Sequence, residues 1–269
     1  MWLQTRCDLT FNITVPTPFL LMLRPRSGAQ QWITAEDYKL VPNVPVFEFT
    51  DSYGNLCQRL IAPAGDFSIH TMAEVMIADY VDQMPGAPFV EIKNLPDSML
   101  IYLLPSRYYE ADRLSQLATK ITAGQQLGYD QVEAIMTWLR NTISYTPNNS
   151  ETLVSAIEVN SRRWGVCRDL SHLGIALCRS LCIPARMVVG YLHGLEPMAL
   201  HAWFEAYVGD RWYSFDATQA EMKGGYVAIG YGRDATDVAV FNQFGPALCP
   251  MIQDVQVQRL EGNNMTFSG

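Results

Sequence analysis

Cys167, His201 and Asp216 are the residues of this sequence whose types and surroundings could do covalent chemistry. A thiol at the start of a helical pattern, a His on a later strand and an Asp on the next strand are the parts of a Cys-His-Asp nucleophilic site. In such a site the thiolate attacks an amide carbonyl and an acyl-enzyme forms. The imidazole activates the thiol and later protonates the leaving amine. The carboxylate fixes the imidazole tautomer and stabilises its cation. A free Cys taken alone is most often a small buried apolar side chain, so the case rests on the elements that would bring the three together.

The first element is a helix. After Cys167, the residues Leu170, Leu173, Leu177 and Leu181 keep one helical face, and Ile183-Pro184 stops the pattern. Cys167 then sits in the first turn, where unpaired N–H groups and the positive end of the helix dipole favour a thiolate. Gly165 permits a tight turn into the helix and close substrate approach. The Cys167 N–H is a candidate oxyanion donor. The second donor is open among Asn148, Asn149 and the Trp164 indole. Asp169, also in the first turn, is expected from the helix dipole alone.

The second element is a hairpin. Ala185 to Tyr191 reads as a strand, and His201 to Val208 as another. His201, Trp203, Glu205 and Tyr207 share one face of the latter, with Ala202, Phe204, Ala206 and Val208 on the other. Gly209-Asp210 suits a two-residue loop, with Arg211 to Ala217 returning. That loop pairs Val208 with Arg211 and therefore Trp203 with Asp216, which puts Asp216 on the His201 face, one diagonal away. A loop one residue longer would turn Asp216 to the opposite face.

These blocks resemble the transglutaminase-like superfamily of papain-type thiol enzymes. The resemblance is carried by Gly165-Val166-Cys167-Arg168-Asp169-Leu170, by Ile183-Pro184-Ala185-Arg186 with Gly190-Tyr191, by His201-Ala202-Trp203-Phe204-Glu205, and by Trp212-Tyr213-Ser214-Phe215-Asp216, in that order. It extends over about residues 105–245. Leu104-Pro105-Ser106-Arg107-Tyr108 and Gly232-Arg233-Asp234 are similar to bacterial members that carry an N-terminal β domain. The resemblance implies an α+β papain-like core, a Cys-bearing helix packed on an antiparallel sheet, and the catalytic roles given above for Cys167, His201 and Asp216. One position departs: the family usually has Pro after the Asp, and here Ala217 follows.

The remainder of the chain is read around that core. Its 269 residues suggest one large domain or two small ones, with ample apolar content for a core. Alternation at Leu9, Phe11, Ile13 and Val15, and at the Phe47/Phe49, Phe67/Ile69 and Val75/Ile77 pairs, predicts a small β-sandwich or barrel over 1–104. The catalytic domain is expected over 105–269, from a boundary at Pro105-Ser106. Asp130 and Glu133 predict a helix start, followed by the stripe Val132, Ile135, Met136, Leu139 and Ile143.

A net charge of −8 and the lack of a basic patch argue against nucleic acid. The longest apolar runs, Phe19–Leu23 and Met99–Leu104, are far short of a membrane span. The start of the chain lacks a basic region followed by an apolar one, so a cytoplasmic location is expected. The six cysteines read as free thiols, with Cys178 and Cys182 packed rather than paired on a metal. Nothing suggests a cofactor or metal.

Among other candidates, His172 is expected in the core or on the surface. Trp164, Trp203, His193 and Asn148 are candidates for the cleft, and Trp203 could shield the His-Asp pair from water. Arg186 and Glu205 are expected to form a structural ion pair rather than bind substrate, and Arg233 to Asp237 a turn with local hydrogen bonds rather than a cation site. The leading functional reading is a thiol peptidase or amidase acting on a peptide or protein. Transfer of the same acyl group to an amine, and a non-catalytic binding protein on the same fold, are the alternatives.

Overall fold

The alternating apolar positions near the N-terminus are realised as paired strands in the computed structural model, which describes residues 1–28, 30–147 and 154–261. Strands β1 (Trp2–Ile13), β2 (Thr17–Leu21), β3 (Gln31–Val41), β4 (Phe47–Thr50), β5 (Leu56–Ala62) and β6 (Gly65–Ile77) run in succession. All pairings among them are antiparallel. β1 and β6 pair along their length beside β3, and β2 pairs with β5, which pairs with β4. Phe11 of β1, Phe19 of β2 and Phe67 of β6 are wholly buried between the two sheets, with ring centres 5.3 Å (Phe11–Phe19) and 6.3 Å (Phe19–Phe67) apart. Each such ring contributes about 1.5–3 kcal/mol by burial.

The strands end at Ile77, not near 104 as expected. From Ala78 to Leu114 the chain forms isolated bridges and short 3-10 turns, including Asp97–Leu103. The apolar run Met99–Leu104 is thus no strand. Pro96 and Pro105 bracket it, and Met99 and Leu103 pack against Val90, Leu95, Tyr207 and Trp212 instead.

Helices follow: α1 (Ser115–Ile121), α2 (Tyr129–Thr142), and, after the short strand β7 (Ser144–Tyr145), α3 (Ala156–Arg162). The predicted apolar stripe of α2 is buried, but its start differs from the Asp130/Glu133 reading. Gly128, at φ 113°, is the N-cap, and its amide donates to Gln131 Oε1 at 3.2 Å. Asp130 instead accepts from the Gly86 amide at 2.8 Å. A glycine serves here because no side chain fits: a Cβ would lie 2.3 Å from the Ala87 carbonyl oxygen.

Strand β8 (Trp164–Gly165) leads into α4 (Cys167–Ser180). α4 lies on a four-stranded antiparallel sheet made of β9 (Ala185–Leu192), β10 (His201–Val208), β11 (Arg211–Phe215) and β12 (Tyr226–Gly232), in the order β11-β10-β9-β12. The approach is close: a Cβ on Gly174 would stand 2.6 Å from Phe204 Cε1. The β10–β11 register is the predicted one, from Val208 opposite Arg211 to Phe204 opposite Phe215. Gly209 and Asp210 have φ of 55° and 63°, the paired positive values of a tight hairpin.

The chain then returns. β13 (Phe241–Gln243) pairs with β2, and β14 (Ile252–Arg259) pairs with β1. Both strands fall inside the expected 105–269 unit yet complete the two N-terminal sheets, so strand pairing does not follow that division at its C-terminal end. Their partners are far away in sequence, and Val255 and Val257 are the only buried residues of β14, so local pattern carries little signal. This is the mixed α+β architecture expected, with the Cys-bearing helix packed on an antiparallel sheet and a strand-rich N-terminal region joined to it. Among the described residues no helix is long and apolar enough to cross a membrane.

Gly174→Ala is expected to destabilise the protein by about 1–3 kcal/mol, because the added methyl overpacks the α4–β10 contact. Chemical denaturation of both forms checks this, and unchanged stability would remove the close contact as a determinant.

Candidate active site

Two features place Cys167. The helix begins at this residue with Val166 as N-cap, so the Cys167 amide is one of the first N–H groups without an intrahelical acceptor. Asp169 secures the turn. Its Oδ2 accepts from the Val166 amide at 3.2 Å and from Arg162 Nη2 at 2.6 Å, and it is wholly buried. Asp169 is therefore held by more than the helix dipole that accounts for it in the sequence. Cys167 itself is half-buried, whereas His201 and Asp216 are each 1% exposed.

The hairpin delivers the other two residues as its register required. His201 Nε2 and Asp216 Oδ2 are 2.7 Å apart. Among the described residues the buried Nδ1 has no hydrogen-bond partner, and Cys167 acts on the same imidazole to raise its pKa. Burial alone would lower the His201 pKa. The Asp216 charge and hydrogen bond outweigh it, Cys167 adds to them, and the pKa is pushed up to about 10. Burial would likewise raise Asp216, but His201 and Thr218 prevail and hold its carboxyl below the usual value. Where Pro would follow the Asp, Ala217 leaves a turn closed by Thr218: its amide and hydroxyl donate to Asp216 Oδ1 at 2.9 Å and 2.7 Å.

Trp203 stacks beside His201, with ring centres 6.2 Å apart, and is 2% exposed, so it covers the pair on one side. Tyr226, which sequence reasoning missed, donates to Asp216 Oδ2 at 2.9 Å. Arg140, also missed, donates to the Asp216 carbonyl at 3.3 Å. Tyr145 lies half-buried near Cys167 and Asp216, and burial with those two charges pushes its pKa well up. Tyr226 and Arg140 sit on other elements, so no local spacing ties them to Asp216. The Asp-x-Thr turn signal was present in Asp216-Ala217-Thr218.

The other candidates have the following surroundings. Trp164 is partly buried, its ring covered by the Arg162 guanidinium at 3.9 Å. His193 stands in the turn after β9, partly exposed, with its amide on the Gly225 carbonyl at 3.0 Å. Asn148 and Asn149 lie outside the described residues. His172 is a core residue between Tyr108 and Tyr109, at ring distances of 5.1 Å and 5.0 Å. Burial, reinforced by Arg168, brings its pKa down to about 3, so it is neutral.

Arg186 and Glu205 form the expected ion pair at 2.6 Å, with the guanidinium also over Trp212 and Tyr231. In the 233–237 turn, Asp234 Oδ1 accepts from the Thr236 amide at 2.8 Å, as expected. Cys178 is packed, but Cys182 is exposed at φ 59°, past the helix end, which corrects the expectation that both pack. Among the described residues no group of three or more His, Cys, Asp or Glu side chains is arranged to hold a metal ion.

Comparison with known proteins places these elements in a wider set. The sequence profile of the transglutaminase-like superfamily matches residues 115–217. The structure of a candidate cysteine protease from Cytophaga hutchinsonii is similar at 35% identity and a TM-score of 0.89, over 97% of this chain and 91% of that one. An uncharacterized protein of Mycobacterium leprae is 26% identical over 230 residues, 81% of this chain and 82% of its own length. Uncharacterized protein YebA of Bacillus subtilis is 28% identical over 145 residues, 44% of this chain and 20% of its own length.

The sign of the His201 shift makes a prediction. A His raised in the folded state adds stability that is complete below its ordinary value near 6.5 and is lost as pH climbs through about 10. Asp216→Asn leaves burial as the main influence, so the His201 titration, followed by ring NMR, is expected to fall by more than about one pH unit. A midpoint that does not move would mean Asp216 does not hold the imidazolium.

Proposed function

The chain belongs to the transglutaminase-like superfamily, and from that premise we propose that it is a thiol peptidase or amidase using Cys167, His201 and Asp216. The observation that carries this reading is the buried His201–Asp216 pair at 2.7 Å, with the remaining imidazole nitrogen free for a thiol at a helix N-terminus.

The chemistry follows from the placement. Cys167 Sγ, as the thiolate, attacks the amide carbon, and the carbonyl oxygen takes the negative charge. The Cys167 amide, at the positive end of α4, is suited to that oxyanion. The His201 imidazolium gives its proton to the amide nitrogen, the C–N bond breaks, and the amine leaves a thioester on Cys167. Water then attacks the thioester carbon as neutral His201 takes its proton. The carboxylic acid departs and the thiolate is restored. Asp216 keeps its charge throughout and stabilises the imidazolium each time it forms. If an amine replaces water, the product is a new amide, which is the transglutaminase outcome from the same intermediate.

The protein supplies internal controls for thiol activation. Cys182 and Cys249 are exposed, whereas Cys167 is half-buried. With iodoacetamide at slightly acidic pH, Cys167 is expected to react at least about 10 times faster than either, despite its lower exposure. Equal rates would rule out an activated nucleophile and favour a binding protein. Cys167→Ala is expected to abolish peptide turnover while leaving thermal unfolding within about 1 kcal/mol. Incubation of a peptide mixture with a labelled amine, followed by mass spectrometry, is expected to give more hydrolysis than amine incorporation. The reverse ratio would assign the acyl-transfer activity.

A further inference from the structure

A carboxylate has about four acceptor positions, and Asp216 fills each oxygen twice. Thr218 supplies both donors to Oδ1. Oδ2 accepts from His201 at 2.7 Å and from the Tyr226 hydroxyl at 2.9 Å. Tyr226 comes from β12, at the far edge of the sheet from Asp216, and its ring packs edge-on against Trp203 at 5.0 Å. We propose that Tyr226 is a positioning residue of this site: its hydroxyl shares Asp216 Oδ2 with His201 and so fixes the carboxylate and limits how firmly it holds the imidazolium proton.

This inference rests on the Cys167–His201–Asp216 reading above. A hydrogen bond to the charged carboxylate favours that form and makes it a weaker base. An oxygen divided between two donors therefore gives less to the imidazolium, which becomes a better proton donor to a leaving amine. The phenol stays protonated while His201 titrates, because burial and the Asp216 charge raise its pKa far above the ordinary value. The other titratable or charged groups that face the pair are Cys167 from α4, Tyr145 from β7 and Arg140 from α2. Among the described residues, His201 and Tyr226 are the two donors to Oδ2.

The test is the His201 ring titration by NMR in the wild-type protein, Tyr226→Phe and Thr218→Ala. Phe keeps the ring against Trp203 and removes only the hydroxyl, so a purely structural role predicts no change in the titration. The expected result for Tyr226→Phe is a midpoint higher by roughly half a pH unit or more. Thr218→Ala removes one donor from Oδ1 and is expected to move the midpoint the same way by less, which keeps the test decisive should Tyr226→Phe not fold. A midpoint that is unchanged or lower in the variants, against a raised wild-type value, overturns the Tyr226 assignment alone. A wild-type midpoint at the ordinary histidine value overturns the triad reading on which it rests.

Discussion

The structure turns on a charge pair that is costly to bury. His201 and Asp216 are each almost fully enclosed, and moving two such ions out of water carries a desolvation penalty of several kcal/mol each, even after relaxation. A pair of this kind persists only with good geometry and with its remaining polar atoms satisfied. Asp216 meets that condition with two hydrogen bonds on each oxygen. His201 meets it on one side only, because among the described residues its buried Nδ1 has no hydrogen-bond partner. Cys167, the nucleophile of the proposed reaction, acts on that same imidazole and raises its pKa. An imidazolium kept by a buried carboxylate and short of a second partner is a group that stabilises a neighbouring thiolate.

That requirement reaches outward through the fold. The tight turn at Gly209-Asp210 sets the β10–β11 register, and the register sets the face on which Asp216 emerges. Gly174 lets α4 lie against Phe204 of β10, which brings the helix start to the same end of the sheet. The far edge of the sheet, β12, is held from the N-terminal region. Gln31 exchanges two hydrogen bonds of 2.8 Å with the backbone of Ala228, and Asn55 does the same with Tyr231 at 2.7 Å and 2.8 Å. Two side-chain amides thus stand in for a neighbouring strand and satisfy an edge that would otherwise be open. Tyr226 lies on that strand, so the N-terminal sheets bear on Asp216 through β12 as well as through the length of the chain.

What could be read from the sequence and what could not divide along the range of the interactions. The helix start at Cys167, the face shared by His201 and Asp216, the Arg186–Glu205 pair and the 233–237 turn all depend on residues near one another in the chain or in adjacent strands of a hairpin. Periodicity and turn chemistry report such relations directly. Tyr226, Arg140 and Tyr145 join the site through tertiary packing, and no spacing rule links them to Asp216. The return of β13 and β14 to the N-terminal sheets escaped for the same reason. The start of α2 was misread for a different one: Asp130 and Glu133 look like a helix opening, but the glycine before them closes against the Ala87 backbone where no side chain fits, and that contact lies outside any local window.

In the proposed reaction the choice between water and an amine is set by parts of the molecule other than Cys167, His201 and Asp216. Both outcomes use the same thioester and the same imidazole. They differ in which nucleophile reaches the carbonyl and in how well water is excluded. Trp203 illustrates the distinction. Its ring shields the His201–Asp216 pair and keeps that pair in a low-dielectric setting, where the carboxylate acts strongly on the imidazole. It thereby strengthens the nucleophile for either outcome and selects neither. In that reading selection comes from the walls around Cys167, since it is the least enclosed of the three residues. A fold that encloses its charge pair so deeply, and leaves Cys167 half-buried, would separate the proposed chemistry from the identity of the acceptor. Changes in the surrounding loops could then redirect the acyl group without disturbing the hydrogen bonds on Asp216.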